Sequence, residues 1–134
     1  MIPRGIRNNN PGNIRKSGNN WQGLALIQSD PAFFVFKAPH WGIRALARTL
    51  KNYQKLYGIS TIEGIINRWA PPVENNTGAY VNSVAKQCGV AKNTKIDLAK
   101  DQTLLRALVK AIITHENGQC PYTDKEIADA VADS

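Results

Sequence analysis

The chain has no apolar run long enough to cross a bilayer, and its opening residues, MIPRGIRNNNPGNIR, lack the apolar middle of a secretory signal. No membrane insertion is expected, and export would need another machine. Cysteine is scarce: Cys88 and Cys120 are the only two, and their separation matches no close-spaced metal-ligand pattern. Free thiols are the simplest reading. Acidic residues are few as well, ten against seventeen Lys and Arg, which leaves a formal charge of +7. Such a balance excludes an acidic surface and points to a polyanionic partner: nucleic acid, an acidic membrane surface or the bacterial cell wall. The cations are dispersed from Arg4 to Lys125 without a block of five to eight, which argues against a dedicated nucleic-acid arm.

What is present is enough apolar residue, 43% of 134, to bury the core of one domain spanning residues 1–134. The stretch from Arg4 to Trp21 is rich in Asn and Gly, residues that favour turns and left-handed backbone, and reads as an ordered site-forming loop anchored by Ile6, Ile14 and Trp21. Two short β-like runs, Leu24 to Ile27 and Phe33 to Lys37, flank the turn signal QSDPA and predict a small hairpin or two extended segments. From Pro39 the period becomes helical and continues to Gly58, with Trp41, Ala45, Leu46, Thr49, Leu50 and Tyr53 on one face and a basic, solvated back. Ser60 or Thr61 caps a helix that stops before Pro71 and Pro72, and Thr77 caps another that ends at Gly89. Thr123 and Glu126 have capping-box spacing for a last short helix. The fold class is therefore mainly α, or α+β with a small hairpin.

The stretch LLRALVKAIITHENG organises the rest. Leu104, Leu105, Leu108, Ala111, Ile112 and His115 recur at helical spacing, so one face is buried while Glu116 arrives at the helix end, just before Gly118. A carboxylate half in a core and half in a cleft suits a general acid, because burial disfavours its charged form. Caps and solvated faces account for Glu63, Glu126 and the aspartates, which leaves Glu74 and Glu116 in loop-rich, aromatic surroundings. Glycoside hydrolysis uses two such groups, one to protonate the leaving oxygen and one to place water or stabilise the oxocarbenium-like transition state. Trp21, Trp69 and Tyr80 offer planar faces for a sugar, and Asn10, Asn13, Asn75 and Thr77 offer donors and acceptors.

Several segments carry a resemblance over nearly the whole chain: RGIRNNNPGNIR, WQG, FFVFKAPHWGIRAL, IINRWAPPVENNTGAYVNSVAKQCGV and HENG. Together they resemble a family of small bacteriophage and prophage proteins usually labelled virion structural proteins. A second resemblance is to bacterial cell-wall glucosaminidases of the lysozyme superfamily. There a helix ending in a catalytic Glu precedes an Asn-rich turn, an extended segment and a helix, followed later by an aromatic-Ala motif and a Tyr that opens another helix. NNNPGNIR resembles the turn, FFVFKAPHWGIRALARTLKNY the segment and helix, and RWAPPVENNTGAY the later motif. The Glu-bearing helix is missing from the front and stands instead near the end, as AIITHENG, which implies a circularly permuted lysozyme-like domain.

That resemblance implies Glu116 as general acid, Tyr80 lining the reaction centre and Asn10 and Asn13 beside it, while Glu74 has no counterpart in it. It implies cleavage of the β-1,4 glycan backbone of peptidoglycan, as a muramidase, glucosaminidase or lytic transglycosylase, with no metal and no cofactor. The partners expected are peptidoglycan glycan strands and other proteins of a virion or injection device, not nucleic acid. The chain would be made in the bacterial cytoplasm without a signal peptide and act in the periplasm or cell wall. A competing expectation is a non-enzymatic virion or glycan-binding protein on the same scaffold, since fold does not carry activity with it.

Overall fold

The computed structural model describes residues 1–73 and 75–134, and Glu74 lies outside the described residues. Among those described, six helices follow in order: α1 (Arg4–Arg7), α2 (Pro39–Tyr57), α3 (Ile62–Trp69), α4 (Thr77–Cys88), α5 (Gln102–Asn117) and α6 (Asp124–Ala132). The protein is mainly α, and each long helix begins where local chemistry allows it. Pro39 opens α2, where a missing N–H is no loss, and Gly58 closes it. The Thr61 side chain caps α3 by accepting from Gly64 N, Asp101 caps α5 by accepting from Leu104 N, and Thr123 with Glu126 forms the full capping box of α6. One start differs from expectation. α4 begins at Thr77 and is capped by Asn76; Thr77 is buried and its hydroxyl donates to Ala70 O, tying the helix to the end of α3.

The helices enclose a single apolar cluster. Leu46, Leu50, Ile65, Ile66, Val84, Leu108, Ile112 and Ala130 are fully buried in it, so α2, α3, α4, α5 and α6 all contribute. Burying one such Leu or Ile contributes roughly 1.5–3 kcal/mol, and several per helix outweigh the weak intrinsic stability of segments this short. Cys88 and Cys120 are free thiols at the edge of this cluster, and burial pushes the Cys88 thiol up to about 11.

Residues before α2 are built differently. Of the two forms expected, a hairpin or two extended segments, the structure has the second: an isolated bridge, Leu24 with Phe36, joins the segments, and another, Arg15 with Phe33, ties the second of them to the N-terminal loop. Gln28 adds further links: its amide donates to Ala25 O and Val35 O and accepts from Val35 N. Phe34 and Phe36 are buried with Ala45, and Ile14, Trp21, Leu24 and Trp41 pack around them. This small layer lies directly on α2 at Gly42, where an added Cβ would stand 1.8 Å from Asn9 O. No residue but glycine permits that approach.

Candidate functional site

Glu116 lies in the last turn of α5, half-buried, and receives a donor on each oxygen. Asn13 Nδ2 donates to Oε1 at 3.2 Å and the Tyr80 hydroxyl donates to Oε2 at 2.9 Å. The partners come from separate parts of the chain, Asn13 from the N-terminal loop and Tyr80 from the first turn of α4. Beside them opens a cleft of about 330 Å3 lined by Asn13, Arg15, Tyr53, Trp69, Asn75 and Glu116 among others. Glu116 is the one carboxylate in that lining among the described residues.

The loop presents Asn13 because its backbone is pinned from three directions. Asn9 and Asn13 both take left-handed conformations, φ 52° each, which asparagine tolerates better than other side chains. Asn10 is fully buried; its amide donates to Ile14 O and Phe34 O while its carbonyl accepts from Ile14 N. Asn117 Nδ2 then reaches across from α5 to Pro11 O at 2.8 Å. Gly5 completes the seam, since a Cβ there would meet Asn117 Oδ1 at 2.7 Å and Asn13 Oδ1 at 2.8 Å. Both of those carbonyl oxygens are buried without a hydrogen-bond donor. With its carbonyl oxygen turned to this seam, the Asn13 amide directs its Nδ2 at Glu116.

Tyr80 is 1% exposed. Its burial, and then the negative charge and hydrogen bond of Glu116, hold its hydroxyl well above the usual phenol range, so it stays protonated and able to donate. The His115 ring stacks on Tyr80, centroids 3.6 Å apart and planes 22° from parallel. Helical spacing assigned His115 to the buried face; the structure places it exposed, as a cover over the tyrosine.

The other expected residues divide. Asn13, Trp69 and Asn75 line the cleft with Glu116, and Tyr80 reaches the carboxylate from the core side. Asn10 does not face the cleft, because all of its side-chain bonding is spent on the loop's own backbone. Thr77 is likewise occupied by Ala70 O, and Trp21 packs in the Phe34 and Phe36 layer away from the cleft. Glu74 lies outside the described residues. Tyr53 and Thr49 were legible only as core positions of α2; they line the cleft because that face of α2 continues past the core. Arg15, which no pattern singled out, lines the cleft with its guanidinium 5.2 Å above the Phe33 ring. Among the described residues no group of three or more His, Cys, Asp and Glu is placed to hold a metal ion.

No family model matches the chain. Over 127 residues it is 47% identical to protein P5 of Pseudoalteromonas phage PM2, an alignment covering 92% of this chain and 77% of that protein. The chain belongs to the protein P5 family. The phage association expected from RGIRNNNPGNIR and the motifs after it is thereby shown at the level of the family. In this P5-family chain the residues around Glu116 come from α4, α5 and the N-terminal loop, so the site exists only in the folded protein.

Proposed function

We propose that this chain is a peptidoglycan-cleaving glycosidase of a phage particle or related injection device, built on a circularly permuted lysozyme-like core in which Glu116 is the general acid. The observation that carries the reading is the joining of Glu116 to Asn13, near the other end of the chain, and to Tyr80 of α4, at the edge of a cleft with an indole, a phenol and amides. Trp69 and Tyr53 offer flat apolar faces to a sugar ring, and Asn75 and Asn13 offer paired donors and acceptors. The net charge of +7 favours approach to an anionic wall.

In this reading protonated Glu116 gives its proton to the glycosidic oxygen as the bond to the anomeric carbon breaks. The sugar left behind carries oxocarbenium-like positive charge, and the carboxylate left behind carries negative charge. Tyr80 and Asn13 both donate to that new carboxylate, so their hydrogen bonds strengthen as the charge develops, which is when they accelerate the reaction. The Tyr80 hydroxyl is donor and acceptor in turn, so it serves the acid before transfer and the carboxylate after it. Water, or a hydroxyl of the same sugar, then attacks the anomeric carbon and returns a proton to Glu116.

A zymogram on purified bacterial walls tests this. The parent is expected to clear wall, Glu116→Gln to lose on the order of 10²–10⁴-fold in rate, and Tyr80→Phe to fall by a smaller factor with an unchanged circular dichroism spectrum. A parent that clears no wall of any bacterium overturns the enzymatic reading in favour of a structural or glycan-binding protein of the virion. A fully active Glu116→Gln overturns the assignment of the acid.

A further inference from the structure

A second concavity, larger than the Glu116 cleft, lies elsewhere on the molecule. It is a cavity of about 840 Å3 between the C-terminal half of α2 and the 95–99 segment, bordered by Arg48, Lys51, Lys55 and Lys95 with Ile59 and Ile96. Asp97 also borders it, but Oδ1 of its carboxylate accepts from Ala99 N and Lys100 N. None of those four cations pairs with a side-chain carboxylate among the described residues; Arg48 donates to a main-chain oxygen of Ser134, which also borders the cavity, and neighbouring Arg44 pairs with Asp133. The wall is rigid, because Gln54 on α2 donates to Ile96 O and accepts from Leu98 N, and Ile96 N donates to Ser60 O.

α2 thus serves two clefts from two faces: Thr49 and Tyr53 turn toward Glu116, while Arg48, Lys51 and Lys55 turn toward the basic cavity. The cations there are held together at an electrostatic cost. Burial, and then the like charges of Arg48 and Arg44, push the Lys51 ammonium below the usual lysine range. Dispersed surface lysines would avoid that repulsion, and a ligand of opposite charge relieves it.

We propose that this cavity is a binding site for an anion carrying two or more clustered phosphate groups. Its volume falls within the range of small-ligand pockets, roughly 300–1,000 Å3. The guanidinium of Arg48 supplies a planar fork for phosphate oxygens and the lysines supply point charges that adapt to several of them. Ile59 and Ile96 add apolar surface to the lining, against which a ligand can pack beside the charged groups. The site is independent of glycan cleavage and stands if that activity is absent.

The test uses tripolyphosphate as probe with the full chain, followed by amide chemical shifts at about 0.15 M salt, where diffuse surface attraction is screened. Shifts are expected at Lys51 to Ser60 and Lys95 to Ala99, with sulfate binding at least about tenfold more weakly. Lys51→Met and Lys95→Met are each expected to weaken tripolyphosphate by about tenfold, the loss of one charge-assisted contact, while Lys86→Met leaves it unchanged. Without ligand, Lys51→Met is expected to melt higher than the parent, because a repelled charge is gone; tripolyphosphate should raise the parent's melting temperature more than the variant's. Shifts scattered over the basic surface, equal binding of sulfate, or parent-like binding by Lys51→Met and Lys95→Met would overturn the proposal.

Discussion

The segment before α2 and the five helices after it hold together by different physics. The helices bury Leu, Ile and Val against one another, and their attraction is non-directional and nearly proportional to area. The N-terminal segment buries far fewer apolar side chains and relies on polar groups of fixed geometry. Asp30 is its hub: 5% exposed, it accepts from Arg4 Nε and a second guanidinium nitrogen at 2.6 Å each, from Asn8 Nδ2, and from Ala32 N and Phe33 N. The helical region should therefore yield gradually to lost volume, and the N-terminal one abruptly to lost direction. Glu116 stands on the first region and receives Asn13 from the second, so the geometry of the candidate site depends on both.

The strongest way to break this contrast is at the seam. Gly42→Ala puts a methyl group onto Asn9 O and is expected to cost more than about 4 kcal/mol in chemical denaturation, or to release the N-terminal segment, seen as early proteolysis there. Next comes a volume change in the helical core: Leu108→Ala is expected to cost about 2–5 kcal/mol while leaving the Asn13 and Tyr80 contacts to Glu116 in place. Asn10→Leu sharpens the contrast, because it adds apolar surface at a fully buried position yet strips Ile14 N and Phe34 O of their partner. A loss of about 1–3 kcal/mol is expected; stabilisation would show that apolar burial governs this region too.

The smallest effect is one of pH. The Arg4 guanidinium, two backbone N–H groups and Asn8 hold the Asp30 carboxyl well below the usual carboxylate range. A depressed folded value means that the ionised group stabilises the fold above the unfolded carboxyl's range and loses that effect as pH falls, beginning below about pH 4. Asp30→Asn should thus be less stable than the parent at neutral pH and show a flatter fall in melting temperature on acidification. Equal slopes would show that Asp30 titrates alike in both states.

Local signals were legible wherever chemistry acts over a few residues. The period of α2, its end at Gly58, the Thr123 and Glu126 capping box and the arrival of Glu116 at a helix end are all read from local spacing. The Asp-Pro turn was legible too, but not that Asp30 would gather Arg4 and Asn8 from more than twenty residues away. Thr77 was misread as a cap because hydroxyls cap helices so often; its neighbour Asn76 takes that place, which frees Thr77 to bond Ala70 O. Asn10 was drawn into the candidate site by residue type, whereas its full burial makes it a brace for the loop that carries Asn13.

By itself the amino-acid order determined helices α2 to α6, most of their ends and a carboxylate placed at the tip of an apolar helix, since hydrophobic period and capping are local; the single turn of α1 lies in the stretch read as a loop. Only the tertiary structure decided what that carboxylate meets. Asn13 stands 103 residues before Glu116 and Tyr80 stands 36 before it; α4 packs on α5 to bring the tyrosine, and Gly5 and Gly42 admit the close approaches that seat the loop bearing Asn13, which spacing does not encode. The basic cavity follows the same rule: Arg48, Lys51 and Lys55 read as a solvated helix back until the 95–99 segment folds against them. Charge along a chain is a property of composition, but charge in a cleft is a property of packing.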